Sequence, residues 1–169
     1  MGYDWSTFTK NIPVKAPAEK IYHAFATREG IESWFLRSSE YTGTDGKALP
    51  PGEMVKENDS YSWLWFGYPD EVNEKGKILK ANGKDHFEFT FSGTGKNDMR
   101  VAVSIREEEG ERIVSLCQYN IPIDEESKTQ FHIGCMEGWT FYLANLKSIL
   151  EGGIDLRNKN EAIKKVINS

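Results

Sequence analysis

Long apolar runs are missing from this 169-residue chain, and so is clustered positive charge. No stretch approaches the ~20 apolar residues of a membrane-spanning helix. The first residues, MGYDWSTFTK, lack the charged-then-apolar pattern of an export signal. Lys and Arg number 21 against 26 Asp and Glu, a formal charge of −5, and no basic cluster appears beyond Lys164-Lys165. Such a surface has no general attraction for nucleic acid or anionic membranes. There are only two cysteines, Cys117 and Cys135. Without an export signal they read as reduced thiols, and the cytoplasm is the expected compartment. The three histidines, His23, His86 and His132, fall in no metal-ligand spacing, so neither a metal nor another cofactor is expected. Nucleophile-elbow, Walker and dinucleotide-binding motifs are absent too. Gly93-Thr94-Gly95 lies between strands, with no helix behind it to hold a phosphate.

What the chain does have is rings: five Trp, seven Tyr and nine Phe, enough large apolar groups for one substantial core. Trp5 to Val14 reads as an edge or outer strand, with Phe8, Ile12 and Val14 on one face and Pro13 favouring a strand end or an edge position. Over 17–35 two short helices follow almost without a loop. Pro17 suits the start of the first, and Thr27 can cap the second. Residues 37–52 are loop or weak strand. Alternating strands are then expected over Met54–Phe66 (either continuous or broken near Asn58-Asp59), Glu71–Lys80, His86–Ser92, Val101–Arg106 and Arg112–Tyr119. Turns are expected at 82–84, 93–98 and 107–111.

From Asp124 to Gly153 the periodicity changes. Cys135, Trp139, Tyr142, Leu143, Leu146, Ile149 and Leu150 recur at three- and four-residue steps, which puts them on one face of a long helix. Asp124 can cap it, and Ser127 with Gln130 offers a later start. Gly152-Gly153 can stop it. At 1.5 Å per residue, Glu125 to Glu151 would run roughly 40 Å. A run of antiparallel strands with segregated helices indicates an α+β fold, with the long helix covering the apolar face of the sheet. After it, residues 157–169 form a tail or a short extra helix.

The stretches APAEKIYHAFATREGIESWF (16–35) and EGWTFYLANLKSILEGGIDL (137–156) resemble the entry motif and closing helix of a known group. It is the group named after the C-terminal domain of the activator of the Hsp90 ATPase, within the START-like superfamily. The resemblance covers about residues 5–156. It implies a single helix-grip domain over 1–156: a curved antiparallel β-sheet wrapped around a long C-terminal α-helix, with two short helices after the first strand. It also implies a small apolar or aromatic ligand in a cavity between sheet and helix, or a chaperone-type protein contact, and no one chemistry. Chaperone activators of this kind carry an additional N-terminal domain. The first strand here begins by about residue 5, which turns the expectation toward a small-molecule binder.

The residues expected to surround that cavity are Trp63, Trp65, Phe89, Phe131, His132, Cys135, Trp139 and Tyr142. The aromatics among them also fit plain core packing. Gly138, beside Trp139, costs about 1 kcal/mol of helix propensity against alanine and calls for a packing reason such as close sheet approach. A cyclase- or dehydratase-like reaction in the same space would need two or more of His132, Glu137, Tyr142 and Arg100 to converge. Strand phase sends Arg100 away from the Val101 face. The expectation is therefore a binding protein rather than an enzyme. Monomer and homodimer are both open, because an open sheet leaves edges that need cover.

Overall fold

The computed structural model describes residues 2–92, 97–163 and 166–167. Seven antiparallel strands form one curved sheet in the order β1-β7-β6-β5-β4-β3-β2. The strands are β1 (Phe8–Val14), β2 (Ser38–Thr42), β3 (Ser60–Leu64), β4 (Asn73–Ala81), β5 (His86–Thr90), β6 (Arg100–Glu108) and β7 (Glu111–Tyr119). β1 is an edge, so the missing N–H of Pro13 breaks no ladder on its open side. Helices α1 (Ala18–Ala26) and α2 (Arg28–Trp34) carry the chain from one edge of the sheet to the other. Thr27 alone joins them: its hydroxyl accepts from Gly30 N at 3.0 Å and donates to the His23 carbonyl at 3.0 Å. Pro17 stands just before the first helical residue.

The predicted strand Met54–Phe66 is shorter, because the chain turns at Asn58-Asp59 and pairs only from Ser60. Part of the 37–52 segment pairs as β2. The predicted 93–98 turn falls largely outside the described residues. So does part of the short helix considered for the tail, which forms no helix within them.

The long helix has three parts. Asp124 caps α3 (Glu125–Ser127), its carboxylate accepting from Ser127 N at 3.0 Å, so the earlier of the two possible starts is used. A π-helical turn follows over Lys128–Ile133, closed by Gly134 N on the Thr129 carbonyl. Then α4 (Gly134–Leu150) runs regularly to Glu151, and Gly152 leaves it at φ +83°. Val101, Val103, Val114 and Leu116 of the sheet share one core with Leu143, Leu146 and Leu150 of α4. At 25 cal/mol per Å² of apolar surface, each large side chain buried here contributes about 1.5–3 kcal/mol.

Beyond α4 the chain is locked back onto α2. The Arg157 guanidinium donates to the carbonyls of Glu32, Ser33 and Leu36, at 3.0, 2.8 and 2.8 Å. Asp155 holds it from the other side at 2.7 Å.

Candidate functional site

The space between the sheet and the middle of α4 is built ring against ring. Phe35, just past α2, stacks on Trp34 and on Trp139, with centroids at 5.3 and 4.8 Å, and meets Trp63 and Tyr142 edge-on. Phe89 stands edge-on to Trp63 and Trp139. Trp34, Trp63, Phe89 and Trp139 are each at most 3% exposed. The Trp139 indole N–H finds its acceptor in the Gln118 side chain at 2.9 Å.

A partly open cleft of about 370 Å³ lies beside this stack, along the flank of α4. The helix gives it Gly134, Glu137, Gly138, Phe141 and Tyr142, which recur at three- and four-residue steps. The β3–β4 connection supplies Trp65, Tyr68 and Val72, and the C-terminal tail supplies Val166 and Ile167. Gly138 is not explained by sheet approach. A Cβ built there meets nothing within 4 Å, and one at Gly134 meets only the Thr129 carbonyl at 3.6 Å. The two glycines leave a bare strip of helix backbone as the floor of the cleft. Burial pushes the Tyr142 phenol well above its ordinary pKa, so it is a neutral hydrogen-bonding group at any physiological pH.

Of the eight residues expected around a cavity, Trp65 and Tyr142 line this cleft. Trp63, Phe89 and Trp139 stand in the stacked core, because their positions on β3, β5 and α4 turn them toward one another rather than toward the flank. Phe131 and Cys135 are partly buried on the helix and pack against that core. Burial pushes the Cys135 thiol up to about 11, so at neutral pH it is no nucleophile.

His132 lies elsewhere. Its ring is 1% exposed, under the N-terminal segment. Nδ1 lies 2.9 Å from the Trp5 carbonyl, which can only accept, so Nδ1 is the donor of that bond. Nε2 shares a hydrogen bond with the Tyr3 hydroxyl at 2.8 Å. The rings of Tyr3, Trp5 and Phe8 surround it edge-on at 5.1–5.4 Å. The π turn is the reason: i→i+5 bonding shifts the helix phase, so His132 does not continue the stripe that begins at Cys135.

Of the four side chains that a reaction would draw on, two, Glu137 and Tyr142, meet on the cleft, while Arg100 pairs with Asp98 at 3.2 Å and His132 clasps the N-terminal segment. Among the described residues no group of three His, Cys, Asp or Glu side chains is placed to hold a metal ion. Nor is any helix among them long and apolar enough to cross a membrane.

Sequence periodicity misses Tyr68 and Val72, which come from irregular chain between strands. It also misses Glu74, an inward-facing carboxylate on β4 that accepts from Ser92 N at 2.7 Å. The alternation of Glu74 with the buried Ile78 was the available signal for Glu74.

Comparison with known proteins decides the family. The family model described as Activator of Hsp90 ATPase homolog 1-like protein matches residues 15–151. The chain belongs to that family. No curated protein matches it. Among solved structures, the chain is similar to protein SSP2350 from Staphylococcus saprophyticus, at 20% identity and TM-score 0.66, over 89% of this chain and 96% of that one. The Aha1 dimer from Colwellia psychrerythraea is 18% identical, with TM-score 0.66, over 87% and 97% of the two chains. DynU16, a putative protein of the dynemicin biosynthetic locus, is 15% identical with TM-score 0.67; the match covers 91% of this chain and 50% of that one. These likenesses establish the helix-grip fold for this Activator of Hsp90 ATPase homolog 1-like chain. The family match ends at 151, so the Asp155–Arg157 lock and the tail side of the cleft lie beyond it.

Proposed function

We propose that this Activator of Hsp90 ATPase homolog 1-like domain is a binding protein for a small apolar or aromatic molecule, held in the cleft on the flank of α4. The observation that carries the reading is Gly138. A mid-helix glycine costs about 1 kcal/mol against alanine, and here no neighbouring atom requires it. It lies instead where a side chain would fill the cleft. The walls support the same reading: Trp65, Phe141 and Val72 are apolar, while Tyr68 and Tyr142 add phenol groups. The cleft is of the size that takes a compact ligand.

The test is a titration of flavonoids, fatty alcohols and polyketide-like aromatics, read by Trp fluorescence, in the native chain and in Gly138→Leu. Binding by the native chain, quenching Trp65, and a loss of at least about tenfold in affinity in the folded variant are expected. Each 1.4 kcal/mol of lost contact is a factor of ten. Equal binding by both proteins, or none by the native chain, removes the reading.

A further inference from the structure

The glycines of α4 give the cleft a shape. We infer that it is a slot for flat, fused-ring aromatic molecules, which lie face-down on the bare helix backbone. This rests on the binding reading above and adds the form of the ligand. Gly134, Gly138 and Tyr142 recur at steps of four along α4, so they make one row on the helix surface. Four residues rise about 6 Å, so the two glycines bare that length of backbone, with the Tyr142 ring at its end. Glu137 and Phe141 form the neighbouring row and border the strip on one side. Among the described residues a Cβ at Gly138 would meet open space, and one at Gly134 would touch only the Thr129 carbonyl.

The other wall is aromatic and fixed at its base. Trp65, from the β3–β4 connection, and Tyr142, from the helix, both stand edge-on to the buried Phe35 ring, at centroid distances of 5.8 and 4.8 Å and interplanar angles of 79° and 85°. Phe35 therefore ties the two sides of the cleft together, and the half-exposed Tyr68 continues the aromatic wall toward solvent. A side chain on either glycine would hold a ring away from the peptide groups. Without one, a flat π face meets the backbone over its whole area at van der Waals distance, about 3.5–4.0 Å. Its other face is offered to the rings of Trp65 and Tyr68. A puckered or cage-like molecule of the same carbon count touches the strip at a few atoms only. A single six-membered ring covers one glycine, whereas two fused rings reach both. The shape is set by α4, Phe35 and the β3–β4 connection, and it makes no demand on the ligand's charge.

Three alcohols with the same carbon count separate the two claims: flat 2-naphthol, puckered decahydro-2-naphthol and the cage 1-adamantanol. Each is titrated into the intact chain and followed at the backbone amide signals of Gly134 and Gly138. 2-Naphthol should shift both signals and bind about fivefold tighter than either saturated alcohol, the gain of a stacked aromatic contact. Gly138→Ala, which favours the helix and so stays folded, should cost 2-naphthol about fivefold and bring it level with the saturated alcohols. Gly134→Ala should do the same, because two fused rings need both glycines. Equal affinity for the flat and the saturated alcohols, or a preference for 2-naphthol that survives both alanines, overturns the slot and leaves the binding reading standing. Failure of all three alcohols to move Gly134 and Gly138 overturns both.

Discussion

Alanine in place of Gly30 should lower the unfolding free energy by about 3 kcal/mol, at the upper end of overpacking costs. The same substitution at Gly138 should raise it by roughly 0.5–1 kcal/mol. Both glycines are helical, so propensity alone favours alanine at each site. What differs is the neighbour. A Cβ on Gly30 would lie 2.1 Å from the His23 carbonyl oxygen and 2.9 Å from Ala24 Cα. These are backbone atoms of α1 and cannot swing aside as a side chain can. The two helices are joined through Thr27 alone, so relief means moving α1 off α2. That would open the contact of Phe25 with Trp34, now 5.0 Å between centroids, and strain the 2.8 Å bond from the Trp34 indole N–H to the Ala24 carbonyl. Urea unfolding followed by Trp fluorescence measures both variants. In heat denaturation the Gly30 loss corresponds to a fall of about 6–12 °C in Tm for a domain of this size. A Gly30→Ala protein as stable as the native one would show that the helix junction yields easily.

The contrast between these glycines marks how far a sequence can be read. Both helices of the junction were legible, from the apolar stripe of Ile21, Ala24 and Phe25 and from Thr27 as a cap. Pro13 placed its strand at an edge, and three- and four-residue spacing placed α4. These are local signals, carried by residues within one or two turns of each other. Gly138 was legible as an anomaly, but whether sheet or cleft explains it depends on what lies across from it. His132 was not legible at all. Its partners Tyr3 and Trp5 are at the other end of the chain in a segment with no period, and the π turn that aims the ring has no signature in the apolar stripe. The cleft walls at Tyr68 and Val72 belong to irregular chain, where neither the helix nor the strand period applies.

The second large effect is expected at Arg157, whose importance is also set by distance along the chain. Arg157→Ala should cost about 3–5 kcal/mol, the usual penalty for leaving half of a buried pair behind. Arg157 is 7% exposed and its guanidinium ends α2: three carbonyls of Glu32, Ser33 and Leu36 have it as their donor. Removing it strands those carbonyls and leaves the Asp155 carboxylate to Lys159 and Asn145 alone. Arg157→Lys should recover only part of the loss, because an ammonium cannot reproduce the planar fork that bonds α2 and Asp155 at once. Asp155 also accepts from the Asn145 side chain at 3.1 Å, and Asn145 donates to the Trp34 carbonyl at 2.7 Å, so the lock ties α2, α4 and the tail into one unit.

The lock has a pH signature. Burial alone would raise the Asp155 pKa, but hydrogen bonds from Arg157 and Lys159 outweigh it and hold the carboxyl well below the usual carboxylate range. A group depressed in the folded state contributes stability that is complete above its unfolded pKa, about 3.9. That contribution is lost as pH falls from there toward the folded value. The native chain should therefore lose stability steadily below about pH 5. Asp155→Asn should start lower at pH 7 and fall less steeply with acid, so that the two curves converge. Depressed carboxylates elsewhere, such as Glu88 and Glu151, act equally in both proteins and cancel in the difference. Parallel curves from pH 7 to pH 3 would mean that the Asp155–Arg157 pair contributes nothing to holding α2 against α4.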